Sequence, residues 1–204
     1  MAPPRKHDTD RILDAARTLV LHDGPRAASV AAIAHASQAP IGTLYHRFGS
    51  RDGLLAAAWL RALHRFQRRA LAAAEDPDPL EAAVSMASSQ VGFAREQPED
   101  ARLLLTVRRD DLLDADPDDK FRAQLDAINA PLAATLTGLT KALRGRAGAR
   151  ATEEVTRAVI DLPNATVRRH MRDAGKLPSW LEHDVADATR RLLQSPRSRG
   201  QLEK

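Results

Sequence analysis

The chain has 204 residues, no Cys, a formal net charge of +4, and 43% hydrophobic against 28% charged residues. That composition supports a sizeable buried core. It excludes an intrinsically disordered chain, a disulfide-built secreted scaffold, thiolate metal sites and thiol nucleophiles. Aromatic residues make up only 3%, so the core has to be built from Ala and aliphatic side chains, which favours helix over strand. The longest stretch free of Asp, Glu, Lys and Arg, residues 27–46, holds Ser, His, Gln, Pro and Gly and does not read as a membrane span. Residues 1–10 are polar with no apolar leader, and a cytoplasmic protein with no membrane partner is expected.

Charge is unevenly placed. Residues 1–70 carry 11 Lys and Arg against 5 Asp and Glu, whereas residues 71–204 carry 20 against 22. A cationic module facing a polyanion, followed by a charge-balanced one, fits this asymmetry.

In chain order, Asp8 or Thr9 can cap a first helix with Ile12, Leu13, Ala16, Leu19 and Val20 on one stripe and Gly24 beyond its end. Ser29 caps a short second helix with Val30, Ile33 and Ala34 facing inward, fading at Ser37. After a turn at Gln38 and Ala39, Pro40 takes the first position of a third helix that stops near Phe48 and Gly49. Ser50 caps a fourth helix reaching about Glu75, which the Asp76–Pro79 segment ends; an inter-module hinge is placed there. Further helices are expected over 79–96, 98–108, 117–144, 152–174 and 179–194, with Pro131 and Pro163 kinking or interrupting two of them. The tail over 195–204 lacks periodicity and reads as frayed. No repeat of fixed period is present. The expected fold is all-α: an N-terminal three-helix unit followed by a helical bundle, about nine helices in total.

The second and third helices, joined by a tight turn, have the form that lays a helix in the DNA major groove. A groove about 12 Å wide admits small residues at the helix start, here Ala39, Pro40, Gly42 and Thr43. Thr43 can hydrogen-bond a base or phosphate and offer its methyl to thymine, while Tyr45, His46 and Arg47 reach toward the sugar-phosphate walls. Ser50 and Arg51 add backbone amides and a guanidinium as a phosphate site. Leu44 and Phe48 are expected to pack between helices. Tyr45 divides its roles, its ring packing while its hydroxyl reaches a phosphate. Arg5 and Lys6 would form a flexible arm along a neighbouring groove.

These residues resemble the TetR family of bacterial transcription regulators. The resemblance rests on residues 12–55, above all Ser29-Val30-Ala31-Ala32-Ile33-Ala34, Gly42-Thr43-Leu44-Tyr45-His46-Arg47-Phe48 and Ser50-Arg51-Asp52. It covers about the first quarter of the chain. Three positions depart from the family pattern. Gln38 stands where the turn usually has Gly, so a positive φ there would carry strain. Pro40 and Ile41 replace a common Ser-Lys pair, removing an amine and a donor and leaving Ile41 to touch a thymine methyl.

The resemblance implies a ligand-responsive homodimer, most simply a repressor that binds a palindromic double-stranded DNA operator and is released by a small-molecule effector. It divides the chain into a DNA-binding domain over 1–52, an effector-binding and dimerisation domain over 53–194, and the tail over 195–204. The DNA-binding residues it implies are Ser29, Ala39, Pro40, Ile41, Thr43, Tyr45, His46, Arg47 and Arg51. Candidate effector-pocket residues are Trp59, Phe66, Met86, Gln90, Phe93 and Phe121. Candidate dimer-interface residues on the last two long helices are Val159, Leu162, Val167, Trp180, Val185 and Leu192. Helix 4 is the expected lever between effector and DNA. The rival reading is a helical small-molecule-binding or enzymatic protein whose helix-turn-helix is vestigial.

No catalytic residue, metal site or cofactor is expected. The acidic run Asp110, Asp111, Asp114, Asp116, Asp118 and Asp119 fails the calcium-loop pattern, with Asp119 where Gly is needed and Leu125 where Glu is needed. It reads instead as a solvated capping loop. Metalloprotease, P-loop, dinucleotide and Gly-x-Ser-x-Gly motifs are missing.

Overall fold

A computed structural model describes residues 6–107, 119–172 and 176–194. The Arg5 arm, the Asp110–Asp118 part of the acidic run and the 195–204 tail lie outside the described residues. So do the ends of the helices expected over 98–108, 117–144 and 152–174. Among the described residues every regular element is helical: α1 (Lys6–Asp23), a 3-10 turn (Pro25–Ala27), α2 (Val30–Ser37), α3 (Ile41–Phe48), α4 (Arg51–Ala73), α5 (Pro79–Glu96), α6 (Pro98–Thr106), α7 (Asp119–Arg144), α8 (Ala149–Thr156), a π turn (Arg157–Asp161), α9 (Leu162–Arg172) and α10 (Leu181–Gln194). The all-α expectation is met.

Two main cores form where the apolar stripes meet. In the first, Ile12, Leu13, Ala16 and Val20 of α1 pack on Ile33, Leu44 and the first half of α4 (Leu54, Leu55, Ala58, Ala62). Each buried aliphatic side chain contributes about 1.5–3 kcal/mol. In the second, Ala70 of α4 meets the Ala-rich face of α5 (Ala82, Ala83, Met86, Ala87, Val91), which in turn packs on the π turn, α9 and α10, with Val155 of α8 in the same cluster. Because α5 packs directly on α4, the Asp76–Pro79 segment is a corner within one bundle, and the hinge expected there is not seen. Asp78 Oδ1 accepts from Leu80 N at 2.7 Å and caps α5.

The two prolines, both expected to kink or interrupt a helix, behave differently from each other. Pro131 sits inside α7 without breaking it; it lies on an exposed face, where water can take the carbonyl that its missing N–H leaves unpaired. Pro163 follows the π turn. The carbonyl of Val159, four residues earlier, receives Gln90 Nε2 from α5 at 2.6 Å, and Leu162 N reaches back to Arg157 O. The lost helical hydrogen bond is thus replaced from a neighbouring helix; the α-helical ladder is interrupted by the π turn, as expected at Pro163, and resumes as α9.

Candidate nucleic-acid interface and internal cavity

The α2–α3 corner is built from backbone hydrogen bonds and caps. Ser29 Oγ accepts from Ala32 N at 3.1 Å and opens α2. Gln38 ends it at φ 56°, ψ 30°, the left-handed conformation expected from its place in the turn, and Ala39 N closes on Ala34 O at 3.1 Å. Arg11 donates to Gln38 Oε1 at 2.9 Å, so the strained residue is held by α1. Pro40, expected as the first helical residue, is the N-cap of α3, and Thr43 N bonds its carbonyl at 2.9 Å. The α3–α4 corner needs Gly49, at φ 75°, and Gly53, where a Cβ would stand 2.1 Å from the Phe48 carbonyl oxygen. Gly53 was not singled out in the sequence, because its constraint is a contact across the corner and not a motif.

On α3, Leu44 is buried and Phe48 packs against the N-terminal core, as expected. The outer face carries Ile41, Gly42, Tyr45 and His46. Ile41 is 46% and Tyr45 51% exposed, so the Tyr45 ring stands further out than the divided role foresaw. Ser29 and Pro40 are exposed beside this face, while Ala39 and Thr43 are half-buried. Arg47 turns back to donate to Thr9 Oγ1 of α1 at 2.9 Å. The Arg51 guanidinium reaches the carbonyls of Ala28 and Pro25 and pairs with Asp52. It ties the 3-10 turn to α4, and Ser50 Oγ caps that helix by accepting from Gly53 N at 3.0 Å.

Behind this head a cavity of about 170 Å³ lies among four helices. Its walls are Trp59, Leu63 and Phe66 of α4, Gln90 and Phe93 of α5, Ala101, Leu104 and Leu105 of α6, and Asn164, Val167 and Arg168 of α9. Phe66 and Phe93 meet edge to face with ring centroids 5.4 Å apart. Four expected pocket residues, Trp59, Phe66, Gln90 and Phe93, do line this space. Met86 does not, being fully enclosed in the main core. Nor does Phe121, which packs with Ala56 and Leu60 in a separate cluster behind Trp59. The wall residues of α6 and α9 were missed because short helices of mixed polarity carry no signal of what they will face.

The wall helix α6 is bound to the head by charge. Arg17 of α1 donates to both Asp100 and Glu99, and Arg65 of α4 donates to Asp100 Oδ2 at 2.9 Å. Asp100 is completely buried. Burial penalises the Arg17 cation, but its hydrogen bond and charge pairing with Asp100, aided by Glu99 and Asp14, hold its pKa above the ordinary arginine value. Arg61 joins α4 to Asp10 and Asp14 of α1.

Of the candidate interface residues, Val159, Val167 and Val185 are buried within the protomer. Val167 faces the cavity instead. A surface contact is therefore not their role. Leu162, Trp180 and Leu192 remain exposed at 44%, 54% and 46%. Trp180 meets His170 edge on, with ring centroids 6.1 Å apart.

A three-helix head presenting a short helix through a tight turn, joined to a helical bundle around a small cavity, defines a helix-turn-helix unit carried on an all-α body. Residues 12–58 match the family model for bacterial regulatory proteins of the tetR family. Solved structures share the architecture over nearly the whole chain. The fatty acid degradation regulator FadR from Bacillus halodurans is 16% identical, with 92% of this chain and 99% of that one covered at a TM-score of 0.70. FadR from Bacillus subtilis, solved in complex with stearoyl-CoA, is 16% identical over 91% and 97%, also at 0.70. The TetR family regulator PfmR from Thermus thermophilus is 22% identical over 96% and 98%, at 0.66. No curated protein sequence matches the chain. The sequence resemblance to the TetR family is borne out in the N-terminal segment by the family match, and beyond that segment the solved structures share the fold.

Proposed function

We propose that this protein is a dimeric repressor that binds a palindromic DNA operator through α3 and releases it when a small-molecule effector fills the cavity. The observation that carries the reading is the pair Ile41 and Tyr45, apolar surface left open on a short helix whose opposite face is buried. Apolar contact with thymine methyls and packing against sugar are the uses a DNA groove has for such side chains. Ser29, Ala39, Pro40, Thr43 and His46 surround them at the groove. Arg47 and Arg51 act from behind, holding α1 and the 3-10 turn in place while the start of α4 offers backbone amides to a phosphate.

Residues 1–52 form the DNA-binding part and 53–194 the effector-binding and dimerisation part, with 195–204 as a tail. The protein works in the cytoplasm and acts by binding, not by catalysis. Among the described residues no helix is long and apolar enough to cross a membrane. Leu162, Trp180 and Leu192 supply the apolar surface for pairing two copies through α9 and α10, which sets the two α3 helices about 34–36 Å apart on one duplex face. An effector shifts DNA affinity only by preferring one spacing of these heads. Helix α4 runs from the α3 corner into the cavity wall, as the lever reading requires. The α6 wall adds a second link through Asp100 to α1.

Selection from random DNA duplexes by the intact protein tests this. A two-fold symmetric site should be enriched, with log affinity falling against log salt by about 0.9 per neutralised phosphate. Tyr45→Ala should weaken that site by about 1–3 kcal/mol. Enrichment of no sequence, or a Tyr45→Ala protein with unchanged affinity, would exclude this reading.

A further inference from the structure

Helix α3 reads Ile-Gly-Thr-Leu-Tyr-His-Arg-Phe over 41–48. A helix in the major groove commonly tells guanine by the fork of an Arg or the amine of a Lys, and adenine by the amide of an Asn or Gln. Helix α3 has no Lys, Asn or Gln, and its one Arg, Arg47, is half-buried and donates to Thr9 Oγ1 of α1. Arg51 at the start of α4 is also half-buried, with its guanidinium on the carbonyls of Ala28 and Pro25 and on Asp52. Gln38, at the turn before α3, accepts Arg11 on Oε1, so half of the donor and acceptor pair that reads adenine is engaged within the head. His46 is exposed on α3, but a neutral imidazole has one donor and one acceptor and cannot form the two parallel bonds of a fork.

What the outer face offers instead is apolar. Ile41 and Tyr45 are 46% and 51% exposed, and residues four apart on a helix are surface neighbours. Gly42 is exposed beside them. Its φ is not positive, and a Cβ added to it would meet nothing within 4 Å. Neither backbone conformation nor packing inside the protein therefore calls for glycine at this place, although glycine gives up more backbone freedom in a helix than alanine. A bare stretch of helix next to two open apolar side chains has a use when another molecule closes on it, because the backbone can then approach that molecule directly. Of the bases in a major groove, thymine presents an apolar group, its C5 methyl.

We propose that the protein reads its operator through thymine methyl groups, with Ile41 and Tyr45 closing on them in each half-site and the backbone at Gly42 against the groove. The half-sites under α3 are then thymine-rich. The assignment rests on the reading of α3 as the helix that contacts DNA.

The test uses the intact protein and the duplex enriched from random DNA, remade with uracil for thymine one symmetric pair of positions at a time. Uracil keeps the base pairing and the charge and lacks the methyl. Burying one methyl changes an equilibrium about fourfold, and a two-fold symmetric site carries each contact twice, so replacement under α3 should weaken binding by about tenfold or more. Ile41→Ala should make at least one of these replacements neutral. Gly42→Ala should weaken binding of the thymine duplex by about tenfold without lowering the denaturant midpoint, since the added methyl has open space in the free protein. Equal affinity for every uracil duplex overturns the proposal, as do half-sites without thymine and a Gly42→Ala protein with parental affinity. A uracil effect that survives both Ile41→Ala and Tyr45→Ala is a response to DNA shape and overturns it too. Enrichment of no duplex removes the operator reading and this one together, whereas an enriched duplex with no methyl dependence keeps the operator reading and overturns this one alone.

Discussion

Gln38 shows how a local departure from a motif is accommodated. A left-handed conformation costs an ordinary residue about 1–2 kcal/mol, yet the turn into α3 leaves no other geometry at this point. The Arg11 hydrogen bond to Gln38 Oε1 offsets part of that cost. Gln38→Gly should therefore stabilise the protein by up to about 1 kcal/mol, read as a shift in the denaturant midpoint at constant m-value. A destabilised variant would show that the Arg11 contact outweighs the strain. Arg47 and Arg51 make a related point: both read from sequence as cations aimed at phosphates, and both have polar partners within their own head.

Among the elements, α6 has the largest consequence for its length. Pro98 starts it and Glu99 and Asp100 fill its first turn, where the helix dipole favours acids. From that turn Asp100 receives Arg17 of α1 and Arg65 of α4, while Ala101, Leu104 and Leu105 face the cavity. One two-turn helix thus touches both the cavity and the helix-turn-helix head. Removing one member of a buried ion network leaves the others desolvated and unpaired, at a cost of about 3–5 kcal/mol. Asp100→Asn should lower the unfolding free energy by that amount in chemical denaturation. A loss below about 1 kcal/mol would mean that solvent reaches the network and that it cannot hold α6 to α1.

At the scale of the whole molecule, the large apolar side chains left exposed among the described residues are Ile41 and Tyr45 on α3, and Leu162, Trp180 and Leu192 on or beside the last two described helices. Under the proposed function the first meets DNA and the second meets another copy. Trp180→Glu should weaken self-association by about 2 kcal/mol or more, seen by analytical ultracentrifugation as monomer at concentrations where the parent is dimer. An unchanged sedimentation profile would place the interface elsewhere. Secondary structure by circular dichroism should be unaltered, since Trp180 is exposed and its main aromatic contact is His170.

Apolar spacing, caps and turn residues determined the helices and the identity of the head, because these are local properties: Ser29, Ser50 and Asp78 cap where they stand whatever lies across the fold. The likeness of residues 12–58 to the tetR family was legible for the same reason. Which apolar residues face a cavity, a core or solvent is a property of packing between distant segments, and only the tertiary structure decided it. Met86 and Phe93 share one helix, yet one is sealed in the core and the other lines the cavity. Val167 and Leu162 share another, one turned inward and one outward. Pro163 is the sharpest case: its own sequence predicts the interruption that the π turn makes, but the hydrogen bond that takes up the freed Val159 carbonyl comes from Gln90, 73 positions before the proline in the chain.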